Sequence, residues 1–232
     1  MKKLDQNIDF NSGETLLFNK PLTWTSFDVV NKVRRLVKVK KVGHAGTLDP
    51  LATGLLILCT GKMTKSLNEI QATEKEYVGT FELGGITPSY DKETEVVESF
   101  SIEGLTEELV KNTTRGFIGM ITQYAPAYSA VRVDGERAYK KARRGEEFKT
   151  KERTVVIKEF EITKVEVPSV SFRVVCGTGT YIRSLVNDFG KKLNNGAFLT
   201  SLCRTRIGEY KLQDAWEIEE FEKECRSMEV EV

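Results

Sequence analysis

The chain is poor in the side chains that most enzymes use for metal binding and nucleophilic catalysis. His44 is its one histidine, which excludes a multi-histidine zinc site and leaves a single residue for any Ser-His-Asp or Cys-His site. The four cysteines lie too far apart to form a CxxC metal motif. The phosphate-binding motifs GxxxxGK[ST] and GxGxxG are absent. The sequence therefore predicts no metal and no cofactor.

Long apolar runs and an imbalance of charge are missing as well. No run approaches the length needed to span a bilayer, and the first residues have no apolar segment typical of a signal peptide. Cys59 and Cys176 lie in apolar runs, where a free thiol behaves as a small hydrophobic side chain. We expect a cytoplasmic protein with no membrane association. The net charge of +1 points to no partner, so the local charge has to be examined.

The 232 residues, of which 40% are hydrophobic and 30% charged, suit a globular protein with a full core. Apolar patterns predict helices and strands in an order without strict βα alternation, which favours an α+β fold with a mixed sheet. The predicted helices are 27–37, capped by Ser26, and 105–115, capped by Thr106. The predicted strands include 55–59, 77–84 and a hairpin of 155–167 with 170–176 that turns at Pro168.

The segment from Gly43 to Leu56 (GHAGTLDPLATGLL) combines glycines with an Asp-Pro pair. Because a residue before proline favours extended backbone, the carboxylate of Asp49 is expected to project from a fixed turn. An ordinary turn between two core elements, with Asp49 making a local hydrogen bond, explains the same pattern. Taken alone, the segment favours this structural explanation.

Two other stretches indicate an anionic partner. Residues 32–41 carry six cations and no acid, and they lead directly into the Gly43 segment. Residues 123–151 mix aromatic side chains with arginine and lysine, a composition typical of single-stranded nucleic-acid contacts. Solvent-exposed helix faces are the alternative for both stretches. Together they favour nucleic acid.

Seven sequence blocks, in one order along the chain, resemble the TruB family of tRNA pseudouridine synthases. The segment around Asp49 resembles the catalytic loop of that family, and the likeness runs from about residue 14 to about residue 212. The other blocks are NKPLTWTS (19–26), TKS (64–66), KEY (75–77), QYAPAYSA (123–130), GTGTYIRSL (177–185) and LCRTR (202–206).

The resemblance implies the pseudouridine synthase fold, with a central mixed, mostly antiparallel sheet flanked by helices and loops. It also implies an isomerase that converts the T-loop uridine of tRNA (position 55) to pseudouridine, with the tRNA T arm as partner. The reaction needs no cofactor, in agreement with the missing motifs. The target base is flipped out of the loop, at a cost of a few kcal/mol. We expect a monomer.

The resemblance assigns roles to individual residues. Asp49 corresponds to the catalytic aspartate, which acts on C1′ as a nucleophile or on C2′ as a base. Tyr77 corresponds to the tyrosine that stacks on the target base, and Arg183 to the arginine that pairs with the aspartate and keeps it ionised. His44, Lys65, Tyr181 and Leu202 correspond to further substrate-binding residues. His44 is taken as a stacking or wedging surface, and Leu202 as an apolar wall.

The RNA-contacting residues follow from the two basic stretches. In the family, the region equivalent to 124–150 forms a mobile thumb over the RNA, and we expect it to be poorly ordered without RNA. The expected RNA contacts are Arg34, Arg35, Lys38 and Lys40 in the first stretch and Tyr128, Arg132, Lys140 and Arg143 in the second.

The expected organisation is a single catalytic domain over residues 1–232. The acidic tail 213–232 is too short for the PUA domain that many bacterial members carry, and Trp216, Ile218 and Phe221 predict a packed helix within it. Two alternatives remain for the function. One is a pseudouridine synthase acting on another RNA. The other is a non-catalytic RNA-binding or RNA-folding protein, which would have no need of Asp49, Tyr77 and Arg183 together.

Overall fold

The computed structural model describes residues 3–5 and 8–230. Within them the strands are β1 (Thr15–Lys20), β2 (Val42–Ala45), β3 (Ala52–Thr60), β4 (Lys75–Leu83), β5 (Gly85–Ile86), β6 (Glu98–Ser99), β7 (Gly119–Tyr124), β8 (Arg132–Val133), β9 (Glu136–Arg137), β10 (Glu152–Glu166), β11 (Ser169–Cys176), β12 (Ala197–Ile207) and β13 (Tyr210–Lys211). The α-helices are α1 (Ser26–Leu36), α2 (Leu67–Ala72), α3 (Glu107–Thr113), α4 (Ala138–Arg143), α5 (Ile182–Lys192) and α6 (Ile218–Val230). Three 3₁₀ helices cover Gly61–Ser66, Thr114–Phe117 and Leu212–Asp214.

The predicted α+β class is confirmed, with a mixed sheet flanked by helices. The chain divides into two compact units. The first comprises Met1–Glu76 and Cys203–Val232, and the second comprises Tyr77–Leu202. The expectation of one catalytic domain stays a prediction. None of the helices in the described residues is long and apolar enough to cross a bilayer.

The first unit is built around β3, which pairs antiparallel with β1 on one side and with β2 at its carboxyl end. Phe18 and Leu56, paired residues of β1 and β3, are fully buried. Helices α1 and α6 cover this part of the sheet, and the rings of Phe18 and Phe221 meet edge to face with centroids 4.9 Å apart. The predicted packed helix of the tail is confirmed for its described residues, because Trp216, Ile218 and Phe221 are buried.

Two local expectations for this unit need correction. The cap of α1 is Thr25, whose hydroxyl and backbone form a reciprocal capping box with Asp28, so the predicted cap at Ser26 is wrong by one residue. The turn expected within the segment Gly43–Leu56 is also shorter than that segment, because Val42–Ala45 forms β2 and Ala52 opens β3. Only residues 46–51 connect the two strands.

The second unit contains strands β4, β11, β10 and β7 in this order. Strands β10 and β11 form the predicted hairpin, with Glu166 opposite Ser169 across the turn at Pro168. Helix α5 packs Phe189 onto the sheet, where it meets Phe81, Phe117 and Phe160 at centroid distances of 5.3–5.9 Å. The expected Thr106 cap is confirmed for α3, since its hydroxyl accepts a hydrogen bond from the Leu109 amide. The sequence did not reveal β7.

Candidate functional site

The loop that carries Asp49 joins two antiparallel neighbours, β2 and β3, in the first unit. The Asp49 carbonyl accepts a hydrogen bond from the Ala52 amide at 3.1 Å, which closes a tight turn around Pro50. Asp49 itself is half-buried, whereas Leu48 beside it is buried. A carboxylate on a short, anchored turn has a defined position and some access to a ligand.

Ser26 anchors the loop from the start of α1. Its hydroxyl accepts a hydrogen bond from the Leu48 amide at 2.9 Å and donates to the Leu48 carbonyl at 3.3 Å. The hydroxyl therefore satisfies both backbone groups of one residue, next to Asp49. Ser26 thus serves the loop, while Thr25 caps the helix.

Lys20 supports the other side of the loop. Its ammonium group donates to the carbonyls of Trp24 at 2.6 Å, Pro21 at 2.9 Å and Pro50 at 3.4 Å, and the residue is fully buried. Burial lowers the pKa of Lys20 from 10.5 to about 8, and the negative charge of Asp49 partly opposes this shift. A buried cation thus lies within electrostatic reach of the Asp49 carboxylate.

Arg204, from β12, fixes the start of the same loop. Its Nε donates to the Leu55 carbonyl at 2.8 Å and its Nη2 to the Gly46 carbonyl at 3.0 Å. The side chain is 1% exposed. Gly46 has φ of +80°, a backbone conformation that glycine adopts without strain. The guanidinium therefore links the first residue of the Asp49 loop to strand β3.

His44 lies in β2, opposite Leu58 of β3. Burial lowers the pKa of His44 below its ordinary value, and the positive charge of Arg204 lowers it further. Its Nδ1 is buried and has no hydrogen-bond partner among the described residues. The imidazole is therefore neutral near pH 7, which suits a stacking surface better than a charged contact.

In the second unit, Arg183 joins the first turn of α5 to two other segments. Its Nη1 donates to the Ser89 carbonyl at 3.1 Å and lies 3.4 Å from Asp91 Oδ2, and its Nη2 donates to the Tyr128 carbonyl at 2.9 Å. Arg183 is 3% exposed. The expected pairing of Arg183 with Asp49 stays a prediction.

Tyr181 stands at the start of α5. The buried amide of Gln123 accepts a hydrogen bond from the Tyr181 backbone N–H at 3.0 Å and donates to its carbonyl at 3.2 Å. The guanidinium of Arg153 lies over the Tyr181 ring, 5.1 Å from its centroid. Tyr181 is therefore held by its backbone and by its ring.

Tyr77, on β4, and Leu202, on β12, are both 8% exposed. Lys65 is exposed on the 3₁₀ helix Gly61–Ser66. The remaining roles predicted for these residues and for His44 are untested.

The expected RNA contacts fall into two surface groups. In the first unit, Arg34 and Arg35 lie in the last turn of α1, and Lys38 and Lys40 follow it on the surface. In the second unit, the thumb segment 124–150 forms the short hairpin β8–β9 followed by α4. There Arg132, Lys140 and Arg143 are exposed and Tyr128 is half-buried. Arg143 pairs with Glu93 at 2.9 Å. The expected disorder of the thumb without RNA stays a prediction.

Four residues shape these two regions in ways that local sequence patterns do not predict. Lys20, Ser26 and Arg204 belong to recognised blocks, but their long-range hydrogen bonds have no local signature. Gln123 looked like part of an RNA-binding stretch, and it is fully buried. No cluster of three or more metal-ligating side chains occurs in residues 3–5 and 8–230.

Comparison with known proteins identifies the family. The profile described as "TruB family pseudouridylate synthase (N terminal domain)" matches residues 34–182. A tRNA pseudouridine synthase B from Phocaeicola vulgatus is 49% identical over 230 residues, covering 97% of this chain and 98% of that protein. A tRNA pseudouridine synthase B from Flavobacterium johnsoniae is 50% identical over 222 residues, covering 93% of this chain and 97% of that protein.

Solved structures agree with this family. A chain from a crystal structure of a Cbf5-Nop10-Gar1 complex matches with a TM-score of 0.73 and 27% identity, over 95% of this chain and 56% of that one. A chain from an H/ACA RNP bound to a substrate RNA containing 2′-deoxyuridine matches with a TM-score of 0.68 and 26% identity, over 92% of this chain and 53% of that one. The chain thus spans about half the length of these two solved chains. The sequence relatives are matched almost end to end, and the chain belongs to the TruB family of pseudouridylate synthases, which are isomerases.

Proposed function

We propose that the protein converts the T-loop uridine of tRNA (position 55) to pseudouridine, with Asp49 as the catalytic carboxylate. The relatives named tRNA pseudouridine synthase B support tRNA as the substrate. The observation that carries the role of Asp49 is the anchoring of its loop. Ser26, Lys20 and Arg204, all buried, bind the main chain at Leu48, Pro50 and Gly46. Such a scaffold holds one side chain in a fixed position for catalysis.

In the proposed reaction, the sugar carbon C1′ exchanges its bond to one atom of the base for a bond to another atom of that base. The C1′–N1 bond of the uridine breaks, the base rotates, and C1′ bonds to C5 of the same base. C5 then loses its proton and N1 gains one, so no atom or electron leaves overall. Asp49 starts this sequence by attacking C1′ or by removing the C2′ proton to form a glycal. Both courses need the ionised carboxylate.

Other residues position the flipped nucleotide around Asp49. Tyr77 stacks on the base and Leu202 forms an apolar wall. Arg183 favours the ionised carboxylate through its opposite charge. His44 offers a neutral stacking surface, and Tyr181 and Lys65 contact the substrate.

The rest of the T arm binds the two basic surfaces. Arg34, Arg35, Lys38 and Lys40 meet phosphates from the end of α1. In the thumb, Arg132, Lys140 and Arg143 do the same, and Tyr128 offers an aromatic face. The protein acts as a monomer in the cytoplasm.

Tritium release from a T-arm hairpin labelled at C5 of uridine tests the proposal. We expect release with the wild type and none above background with Asp49→Asn, while the affinity for the hairpin changes less than about threefold. Asp214→Asn is the matched control, because Asp214 is an exposed aspartate of the same unit. It should release tritium like the wild type.

Three results would contradict parts of the proposal. Equal release by Asp49→Asn and the wild type would remove the catalytic role of Asp49. Binding without release by the wild type would favour a non-catalytic RNA-binding protein. Release from unrelated uridine hairpins, but not from the T arm, would assign another RNA as substrate.

A further inference from the structure

A cleft of about 460 Å³ on the first unit is lined by five lysines and Asn11. The lysines are Lys38, Lys40, Lys41, Lys62 and Lys65, and all five are exposed. Three of them belong to the basic stretch 32–41, and two belong to the 3₁₀ helix Gly61–Ser66. Two sequence segments about twenty residues apart therefore supply one concentrated positive charge.

The register of β2 and β3 brings the two segments together. Val42 pairs with Thr60, and the Gly61 amide donates to the Lys41 carbonyl at 2.9 Å. Gly61 has φ of +47°, and a Cβ there would lie 2.1 Å from the Asn11 carbonyl oxygen. Because only glycine fits at this turn, the chain can bring Lys62 next to Lys41.

Four of the five lysines in the cleft are not paired with a carboxylate of the described residues. In the described part of the chain, Lys40, Lys41, Lys62 and Lys65 form no ion pair with a carboxylate. Other lysines are paired: Lys32 lies 2.6 Å from Glu222, and Lys141 lies 3.0 Å from Asp134. Grouping like charges costs free energy, which an anionic ligand would offset.

We propose that this lysine cleft binds the phosphate backbone of the RNA substrate, with Lys41 and Lys62 contacting phosphates other than that of the nucleotide at Asp49. The inference rests on the proposed function and adds a separate contact to it. The cleft lining contains no aromatic side chain, so it offers no surface for base stacking. Lysine is a point charge that meets phosphates without reading base edges, so the contact is independent of sequence.

The β2 strand sets the distance between the cleft and the Asp49 loop. Lys41 precedes β2 and Gly46 follows it, so the two residues are five residues apart along extended backbone. At about 3.3 Å per residue, the separation is roughly 16 Å. This separation is longer than one nucleotide step, so Lys41 and Lys62 contact phosphates other than that of the reacting nucleotide. A hairpin with a long stem therefore offers these lysines more phosphates than one with a short stem.

The test compares two labelled RNAs that share one T loop, closed by about three or about twelve base pairs, the longer stem being enough to reach the cleft. The variant is Lys41→Gln with Lys62→Gln. For the long RNA we expect roughly tenfold weaker binding at low salt and a salt slope that is smaller by about 1.5. For the short RNA the affinity should fall less than about twofold, because electrostatic screening limits action at a distance. The matched control is Lys211→Gln with Lys223→Gln, which removes two exposed charges elsewhere in the same unit and should bind both RNAs like the wild type.

The possible outcomes distinguish a failure of the cleft proposal from a failure of the proposed function. Unchanged affinity and salt slope for the long RNA would overturn the proposal. Equal losses for the two RNAs would also overturn it, because the lysines would then act at the reacting nucleotide. Thermal unfolding of the variant, monitored by circular dichroism, shows whether it is folded as the wild type is. Tritium release by the wild type is measured in parallel, and its absence with both RNAs would contradict the proposed function instead.

Discussion

The buried guanidinium of Arg204 donates a hydrogen bond to the carbonyl oxygen of Gly46 at 3.0 Å, three residues before Asp49. Its Nε donates to the Leu55 carbonyl inside β3, so one side chain links the start of the loop to the strand that follows it. A lysine has a single ammonium group and no planar fork, so it cannot keep both bonds in this geometry. Arg204 is thus a positioning residue for the Asp49 loop.

We expect Arg204→Lys to lower kcat for pseudouridine formation at least tenfold with little change in KM, because the charge stays while the loop loses its bridge. The free energy of unfolding should fall by about 2–3 kcal/mol, since a buried carbonyl loses its partner. Steady-state kinetics and urea unfolding measure the two effects.

The control for this variant is Arg206→Lys. Arg206 is two residues further along β12 and forms a partly exposed ion pair with Glu74 at 2.8 Å. The free energy of unfolding should therefore fall by less than about 1 kcal/mol. Equal kcat for Arg204→Lys and the wild type would contradict the positioning role.

The buried ammonium of Lys20 predicts a pH dependence of stability. Its pKa is about 8 in the folded protein and 10.5 when unperturbed. Between these values the unfolded chain binds more protons than the folded protein, so the free energy of unfolding rises with pH. Relative to Lys20→Met, the wild type should gain at most about 3 kcal/mol from pH 8 to pH 10.5. Urea unfolding of both proteins across this range gives the difference, and a constant or falling difference would rule out the lowered pKa.

Gly54, near the Asp49 loop, lies where the backbone leaves no room for a side chain. It has φ of +100°, and a Cβ there would lie 2.4 Å from the Arg204 carbonyl oxygen and 2.6 Å from its amide nitrogen. We expect Gly54→Ala to lower the free energy of unfolding by more than about 3 kcal/mol, because backbone strain and overlap add. Gly104→Ala is the matched control, because Gly104 has φ of +80° with no atom within 4 Å. In this control the free energy of unfolding should fall by about 1 kcal/mol. Equal decreases at both sites would show that the overlap at Gly54 is relieved.

The two hydrogen bonds between the Gln123 side-chain amide and the Tyr181 backbone predict an effect on the stability of the second unit. Replacing Gln123 with Met keeps the approximate volume but removes both hydrogen bonds to the Tyr181 backbone, at a cost of about 2–3 kcal/mol in the free energy of unfolding. Thr122→Val serves as the control, because Thr122 is exposed on the same strand and should lose less than about 0.5 kcal/mol. Thermal or urea unfolding compares both variants with the wild type. Equal stability of Gln123→Met and the wild type would show that the two hydrogen bonds contribute nothing.

Local patterns predicted the elements that depend on local interactions. The Thr106 hydroxyl reaches an amide three residues away, and the β10–β11 hairpin turns where Pro168 interrupts two alternating runs. The blocks around Asp49, Gln123 and Arg183 identified the family, which the relatives confirm. By contrast, β2 and β7 are short, and their apolar residues do not alternate clearly enough to predict a strand.

The family, the α+β class and the residue types available for chemistry all follow from the amino-acid sequence alone. The buried groups that support the Asp49 loop, by contrast, are visible only in the folded protein. Lys20, Ser26 and Arg204 look like ordinary residues of a strand or a helix. Ser26 bonds to Leu48 22 residues away, Lys20 to the Pro50 carbonyl 30 residues away, and Arg204 to Leu55 and Gly46 149 and 158 residues away. The lysine cleft likewise exists because the register of β2 and β3 places Lys41 beside Gly61. Pairing across such distances depends on the free energy of the whole fold, so no local pattern encodes it.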